Sequence, residues 1–294
     1  MALGVILLWG SNYSVQKALM AEIGPGALLF ARYLVTPACA VALLLWRYGL
    51  RWPRMERRDW AGLAGLAALG HVGQVNVMTH AMHLSTAFSS ALISALGPLF
   101  TLLLVRMLYR QRFARIQVWG VTLAMAGMLV FLADKLAVVR TQGVGDLLLL
   151  LGTLLFSLHT ITASRLLNRH GVTLVMAYST LLATVPMLLL NAPQALLAPW
   201  ASLPAAAWWA LLWSLAVASF AGWLAWGWLN THMGVQRTAP LLYLLPPVAG
   251  LISWMALGES FSGLKMAGAV MAGAGVAVTQ FGATPAGKRA SGPG

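Results

Sequence analysis

Apolar residues run through this chain in ten blocks, parted by short stretches where arginine, proline and glycine collect. The blocks cover residues 3–20, 27–46, 60–80, 87–108 and 117–134, then 147–165, 172–191, 206–229, 238–257 and 264–281. Each is close to the length of about 20 residues that carries a helix across a hydrocarbon core. The pattern predicts an all-α integral membrane protein of ten transmembrane helices. The polar, Gly/Pro-containing segment 283–294 reads as a disordered cytoplasmic tail.

The blocks repeat. Pro98, Phe113, Gly120 and Gly127 return as Pro247, Phe261, Gly268 and Gly275, and AGMLV at 126–130 returns as AGVAV at 274–278. Residues 1–134 and 147–282 are thus two five-helix units. Five is odd, so the second unit enters the bilayer upside down. Inverted repeats of this kind place a solute site where the halves meet near the midplane. Small residues four apart, as in Gly120-xxx-Ala124 and Gly268-xxx-Ala272, let helix backbones approach closely. They fit packing within one chain or a weak homodimer.

Composition excludes a soluble protein. Hydrophobic residues are 60% of 294 and charged residues 9%, with a mean hydropathy of +0.80, against about 25% charged in soluble domains. The net charge of +13 does not indicate nucleic-acid binding. Fourteen of the 19 basic residues fall in loops on one side, among them Arg47, Arg51, Arg54, Arg57 and Arg58. That asymmetry assigns both termini to the cytoplasm and agrees with an even number of spans. The single cysteine, Cys39, permits no internal disulfide.

Polar side chains at membrane depth are costly and turn toward a cavity or a partner. They gather on the first, third, fourth, sixth and ninth spans; the second, fifth, seventh and tenth read as scaffold. The repeat offset pairs Trp9 with Phe156, Asn12 with His159, Ser94 with Tyr243, Gln74 with Gly222, and Met78 with Trp226. Such pairs converge on the pseudo-twofold axis. The expected substrate-binding residues are Trp9, Asn12, Tyr13, His71, Gln74, Met78, Ser90, Ser94, Phe156, His159, Trp223, Trp226 and Tyr243. Pro98, Gly222, Pro246 and Pro247 are expected hinges or gates, since proline frees backbone carbonyls. Interhelical hydrogen bonding and aromatic core packing remain the plainer reading of any one of these residues.

No Asp or Glu lies in the middle of a span, which argues against carboxylate-based ion coupling. A histidine relay through His71 or His159 stays open. His80 and His83 lack a third ligand, so no metal is expected, nor any cofactor. Lys17 and Arg32, near the outer ends of their spans, fit interfacial anchoring, an ion pair, or attraction of a substrate carboxylate. HExxH, GxSxG and GxxxxGKS are missing, so enzyme and ATP-driven readings lose ground.

LLWGSNYSVQKAL (7–19), ALISALGPLFTLLL (91–104) and LGESFSGLKMAGAVMAGAGVAV (257–278) resemble segments of EamA-type proteins of the drug/metabolite transporter superfamily. The chain departs from the usual pattern at the first junction, with Tyr109-Arg110 where the second has Gly258-Glu259. The resemblance implies a ten-helix inverted-repeat carrier with a central cavity and alternating access, in a bacterial inner membrane. It looks most like the aromatic amino-acid exporters of that group. A facilitative exporter of neutral and aromatic amino acids is the leading expectation, with the small-molecule substrate and the lipid bilayer as partners. A carrier of sugars, nucleosides or cationic compounds, proton-coupled or not, and a non-transporting membrane subunit are the alternatives.

Overall fold

The computed structural model describes residues 2–109, 115–138, 140–222, 225–226, 228–229 and 239–281. The expected residue Trp223, the repeat landmark Phe113 and the tail 283–294 lie outside the described residues.

Helices account for nearly all of the described chain. α1 (Ala2–Tyr48) holds the first two apolar blocks and bends between them at Gly24, whose φ of 79° and ψ of 163° are not helical. Only glycine takes such angles freely, and Pro25 follows at once. At the equivalent place in the second half Gly171, with φ 79° and ψ 161°, parts α7 (Arg140–His170) from α8 (Val172–Leu197). The third block is α2 (Arg57–Leu66), a π-helix over Ala67–Val75, and α3 (Asn76–Leu84). The eighth opens the same way, with α9 (Ala205–Leu212) and a π-helix over Trp213–Ala221. The fourth block breaks into α4 (Ala87–Ser94) and α5 (Gly97–Tyr109). The ninth is a 3₁₀ turn, Ala239–Leu244, followed by α10 (Leu245–Leu257). The prolines place both breaks: Pro98 supplies no N–H for the Ser94 carbonyl one turn back, nor Pro247 for that of Tyr243.

α6 (Arg115–Val138) and α11 (Gly263–Phe281) are the fifth and tenth blocks. They pack antiparallel, backbone to backbone. A Cβ placed on Gly120 would lie 2.8 Å from the Gly275 carbonyl oxygen, and one on Gly275 would lie 2.6 Å from that of Gly120. Gly127 and Gly268 face each other likewise, at 2.8 Å in both directions. Since Gly268 and Gly275 are the repeat images of Gly120 and Gly127, every contact is matched by its image. The small-residue stripes are therefore used inside one chain.

Among the described residues, five helices are long and apolar enough to cross a membrane, α1 being long enough to do so twice. Large apolar side chains also cover much of the outside. Along α8, Leu182, Val185 and Leu189 are 37%, 64% and 70% exposed, a helical stripe turned away from the protein. Water would penalise such a surface, whereas lipid suits it.

The main core joins both halves, with Leu19, Met20, Phe88, Leu92, Leu149, Leu211 and Ala272 in one cluster. At its edge, the Ser85–Thr86 turn between α3 and α4 is held by groups of opposite charge. Lys17 Nζ donates to the Met82 and His83 carbonyls at 3.1 and 2.6 Å, where the helix C-terminus favours a cation. Glu259 Oε1 accepts from the Ala87 N–H at 2.7 Å, capping the start of α4, where an anion is favoured. Asp146, which sequence alone places in a charged loop, is fully buried and accepts a hydrogen bond from Ser85.

Candidate functional site

The first span of each half crosses the proline break of the other half. On α1, Gly10 packs against Val248, just past Pro247; a Cβ there would lie 3.0 Å from Val248 Cβ. On α7, Ser157 Oγ donates to the Gly97 carbonyl, just before Pro98, at 3.0 Å. Gly97 also faces the Phe156 ring at 3.8 Å, measured from the position a Cβ would take. Each first span further meets a π-helix of the opposite half. Trp9 Nε1 donates to the Ala218 carbonyl at 3.0 Å, and a Cβ on Gly222 would lie 2.6 Å from the same nitrogen. His159 lies over Gly70, where a Cβ would come within 2.6 Å of its Nε2. The π-register frees carbonyls and admits a bulky neighbour, and such segments recur at functional sites.

Near these crossings, polar atoms are buried without a partner. Asn12 Oδ1, His159 Nε2 and the Tyr243 hydroxyl meet no hydrogen-bond partner among the described residues, and Ser14 Oγ and Ser214 Oγ share that state; the Ser94 hydroxyl has only the Tyr13 hydroxyl to turn to. Buried polar groups are bonded in the great majority of cases, and each orphan costs about 1–3 kcal/mol. Asn12 and His159 are one repeat pair, and Ser94 and Tyr243 are the other. Trp9 packs on Trp226, ring centroids 5.4 Å apart and tilted by 51°. Tyr13 and Tyr243 both pack against the main core. The arrangement offers neutral donors and acceptors among aromatic faces.

The remaining expected residues are distributed differently. His71 is held elsewhere: its Nδ1 pairs with the Tyr33 hydroxyl at 2.7 Å and its Nε2 faces Ser179 Oγ at 3.4 Å. Nearby Asn76 accepts from Asn191 Nδ2 at 3.3 Å. This polar knot ties the second, third and seventh blocks together. Tyr33, Ser179 and Asn191 escaped the sequence reading because they lie on spans that read as scaffold. Ser90 Oγ donates to the Thr86 carbonyl at 2.8 Å, so its hydroxyl is satisfied within its own helix. Met78 packs on α7, its Cγ 2.7 Å from where a Cβ on Gly152 would stand. Gln74 is half-buried on the first π-helix, and Phe156 is 47% exposed. Pro246 and Pro247 lie in the first turn of α10, and Gly222 is buried against Trp9 and Leu8.

The family model of EamA-like transporters matches residues 1–133 and again residues 143–281, nearly the whole chain. The chain belongs to the EamA-like transporter family. This EamA-like transporter is 21% identical over 279 residues to YyaM, an uncharacterized transporter of Bacillus subtilis, covering 94% of this chain and 91% of that one. It is 25% identical over 300 residues to a Salmonella typhimurium protein named a probable amino-acid metabolite efflux pump, covering 96% and 94%. A probable terminal-alkyne amino-acid exporter of Streptantibioticus cattleyicolor is 25% identical over 272 residues, covering 92% and 89%. A solved crystal structure superposes with a TM-score of 0.65 over 97% of each chain at 20% identity, a likeness of fold. The apolar helices and the family together make this a membrane transporter.

Proposed function

We propose that this EamA-like transporter exports neutral amino acids, aromatic ones above all, and related metabolites across a bacterial inner membrane. It works by alternating access as a facilitative carrier, with ten spans forming two inverted five-helix repeats, residues 1–134 and 147–282, and both termini in the cytoplasm. The observation that carries the reading is the set of orphaned atoms on Asn12, His159 and Tyr243. A neutral zwitterion brings both a donor, its ammonium, and an acceptor, its carboxylate, so it satisfies such groups without a buried protein charge. Trp9 and Trp226 supply faces for an aromatic side chain, in offset or tilted stacking.

Inversion is supported by the reciprocal contacts of α6 with α11. Antiparallel helices that exchange equivalent contacts are related by a twofold axis across the pair; with both helices spanning a membrane, that axis lies in its plane. The breaks before Pro98 and Pro247, and the two π-helices, give symmetric hinge points beside the orphaned groups. Names of relatives as amino-acid exporters support the substrate class.

Proteoliposomes loaded with labelled phenylalanine, leucine or a sugar test the reading. Saturable efflux of phenylalanine, faster than that of the sugar and unchanged by a pH gradient, is expected. Absence of amino-acid flux would sink the substrate assignment, and uphill flux driven by the gradient would sink the facilitative mechanism.

A further inference from the structure

A second candidate site lies away from the repeat axis, beside the arginine-rich loop over residues 49–56. Tyr178 on α8 anchors this loop. Its hydroxyl donates to the Pro53 carbonyl at 2.8 Å, and its ring stacks on Trp60 at 5.3 Å with the planes 15° apart. Trp52 closes the other side at 6.4 Å. With Arg54, Leu181 and Leu182, these rings line a crevice of about 550 Å³. That volume is within the usual range of small-ligand sites, about 300–1,000 Å³.

The crevice is polar at one end and apolar at the other. Tyr178 stands six residues into α8 and Leu182 ten, or roughly 9 and 15 Å along the axis. The apolar end runs on into the exposed stripe of Leu182, Val185 and Leu189. Arg54 lines the polar end, and Arg51, Arg57 and Arg58 lie within three or four residues of it in sequence, all exposed. Local acids do not neutralise them: Glu56 and Asp59 are held by Arg169 at 2.7 and 3.1 Å, and Asp59 also by His170 at 2.7 Å. Tryptophan and tyrosine favour the headgroup level of a bilayer, where basic side chains meet anionic lipid.

We propose that this crevice binds an anionic phospholipid. Its phosphate lies on Arg54 and Arg51, its glycerol region between Trp52, Trp60 and Tyr178, and its acyl chains along Leu182, Val185 and Leu189. The inference rests on the membrane placement of α8, which the family supports, and does not depend on which solute is exported.

The full chain in a neutral detergent is titrated with phosphatidylglycerol, and separately with phosphatidylcholine of the same acyl chains. Native mass spectrometry counts retained lipid, and thermal melting reports stabilisation. Phosphatidylglycerol is expected to be retained and to raise the melting temperature well beyond phosphatidylcholine. Arg54→Gln should cut that preference about tenfold, the scale of one charge-assisted hydrogen bond, and Arg54→Lys should keep most of it. Arg165→Gln removes the same charge at the same end of the molecule but outside the crevice, and should change nothing. Melting without lipid checks that each variant is folded. Equal responses to the two lipids, equal losses in Arg54→Gln and Arg165→Gln, or reproduction of the effect by inorganic phosphate would each overturn the proposal.

Discussion

At the seam between α6 and α11, glycine carbonyls face the sites where side chains would begin, and each contact has an image. At the crossings of α1 and α7 with the proline breaks, the same kinds of element meet in both halves, but through different side chains, and polar atoms are left unanswered. The same internal repeat thus supports two opposite physical arrangements. The seam leaves no room for a side chain at Gly120, Gly127, Gly268 or Gly275. The crossings keep hydrogen-bonding groups of Asn12, His159 and Tyr243 buried and unsatisfied, which lowers stability unless something else satisfies them. A protein selected for stability alone would fill or pair those groups, whereas on the proposed reading they are kept open for the solute. Substitutions at the two places should therefore differ in kind: seam variants lose the fold, and crossing variants lose transport.

The largest effect belongs at the seam. Gly127→Leu drives a side chain into the backbone of α11, which cannot swing aside as a flexible side chain would. Overpacking of this kind costs about 1–3 kcal/mol and sometimes more. The variant should melt well below the parent or fail to elute as a single species in detergent. Gly275→Leu, its image, should lose a similar amount. Gly273→Leu lies on the same helix with nothing within 4 Å, and should be nearly neutral. If Gly273→Leu were as damaging as Gly127→Leu, the seam would have no special standing. If Gly127→Leu were harmful and Gly275→Leu harmless, the two halves would not be equivalent there.

A middle-sized effect is expected at the Ser85–Thr86 turn, where the halves meet through charge instead of backbone contact. Glu259→Ala removes the acceptor for the Ala87 N–H. Losing a helix N-cap acceptor costs about 1 kcal/mol, which lowers the melting temperature by roughly 2–4 °C. Glu259→Gln keeps an acceptor and should lose less than half as much. Scanning calorimetry on matched detergent samples separates the two. Equal losses would indicate that the negative charge, and not the hydrogen bond, is what matters at α4.

These two regions were not equally legible in the sequence. The seam was plain, since glycine and alanine at four-residue spacing admit close packing and recur at the repeat offset. The pairs Asn12/His159 and Ser94/Tyr243 were legible for a similar reason: polar residues are scarce enough in apolar spans for matched positions to stand out. The π-helices were not, because an extra residue in a helical turn leaves no side-chain signature. Gly24 and Gly171 escaped as a pair because glycine is frequent throughout these spans, and only their positive φ distinguishes them. His71, expected in the site, pairs with Tyr33 and Ser179 on spans that read as scaffold. Lys17 read as an anchor, an ion pair or a substrate lure; its ammonium also caps the end of α3.

The smallest effect on stability is the most telling. Tyr243→Phe removes one hydroxyl that has no partner among the described residues, and leaves the ring packed against the core. An ordinary buried tyrosine loses about 1 kcal/mol on this change, because its hydrogen bond goes with the hydroxyl. An orphaned hydroxyl has none to lose, and removing it relieves its desolvation. Tyr243→Phe should therefore melt at the parent's temperature or slightly above. Its transport should fall all the same, since the solute loses a bond worth about 0.5–1.5 kcal/mol, or roughly two- to tenfold in affinity. The stabilisation gained from added phenylalanine should shrink in Tyr243→Phe. Tyr33→Phe is the internal contrast. Its hydroxyl is bonded to His71 at 2.7 Å, so it should lose stability while the added stabilisation by phenylalanine stays intact. Should Tyr243→Phe instead melt lower with transport unchanged, the hydroxyl would be a structural group, and the crossings would be a second joint like the seam.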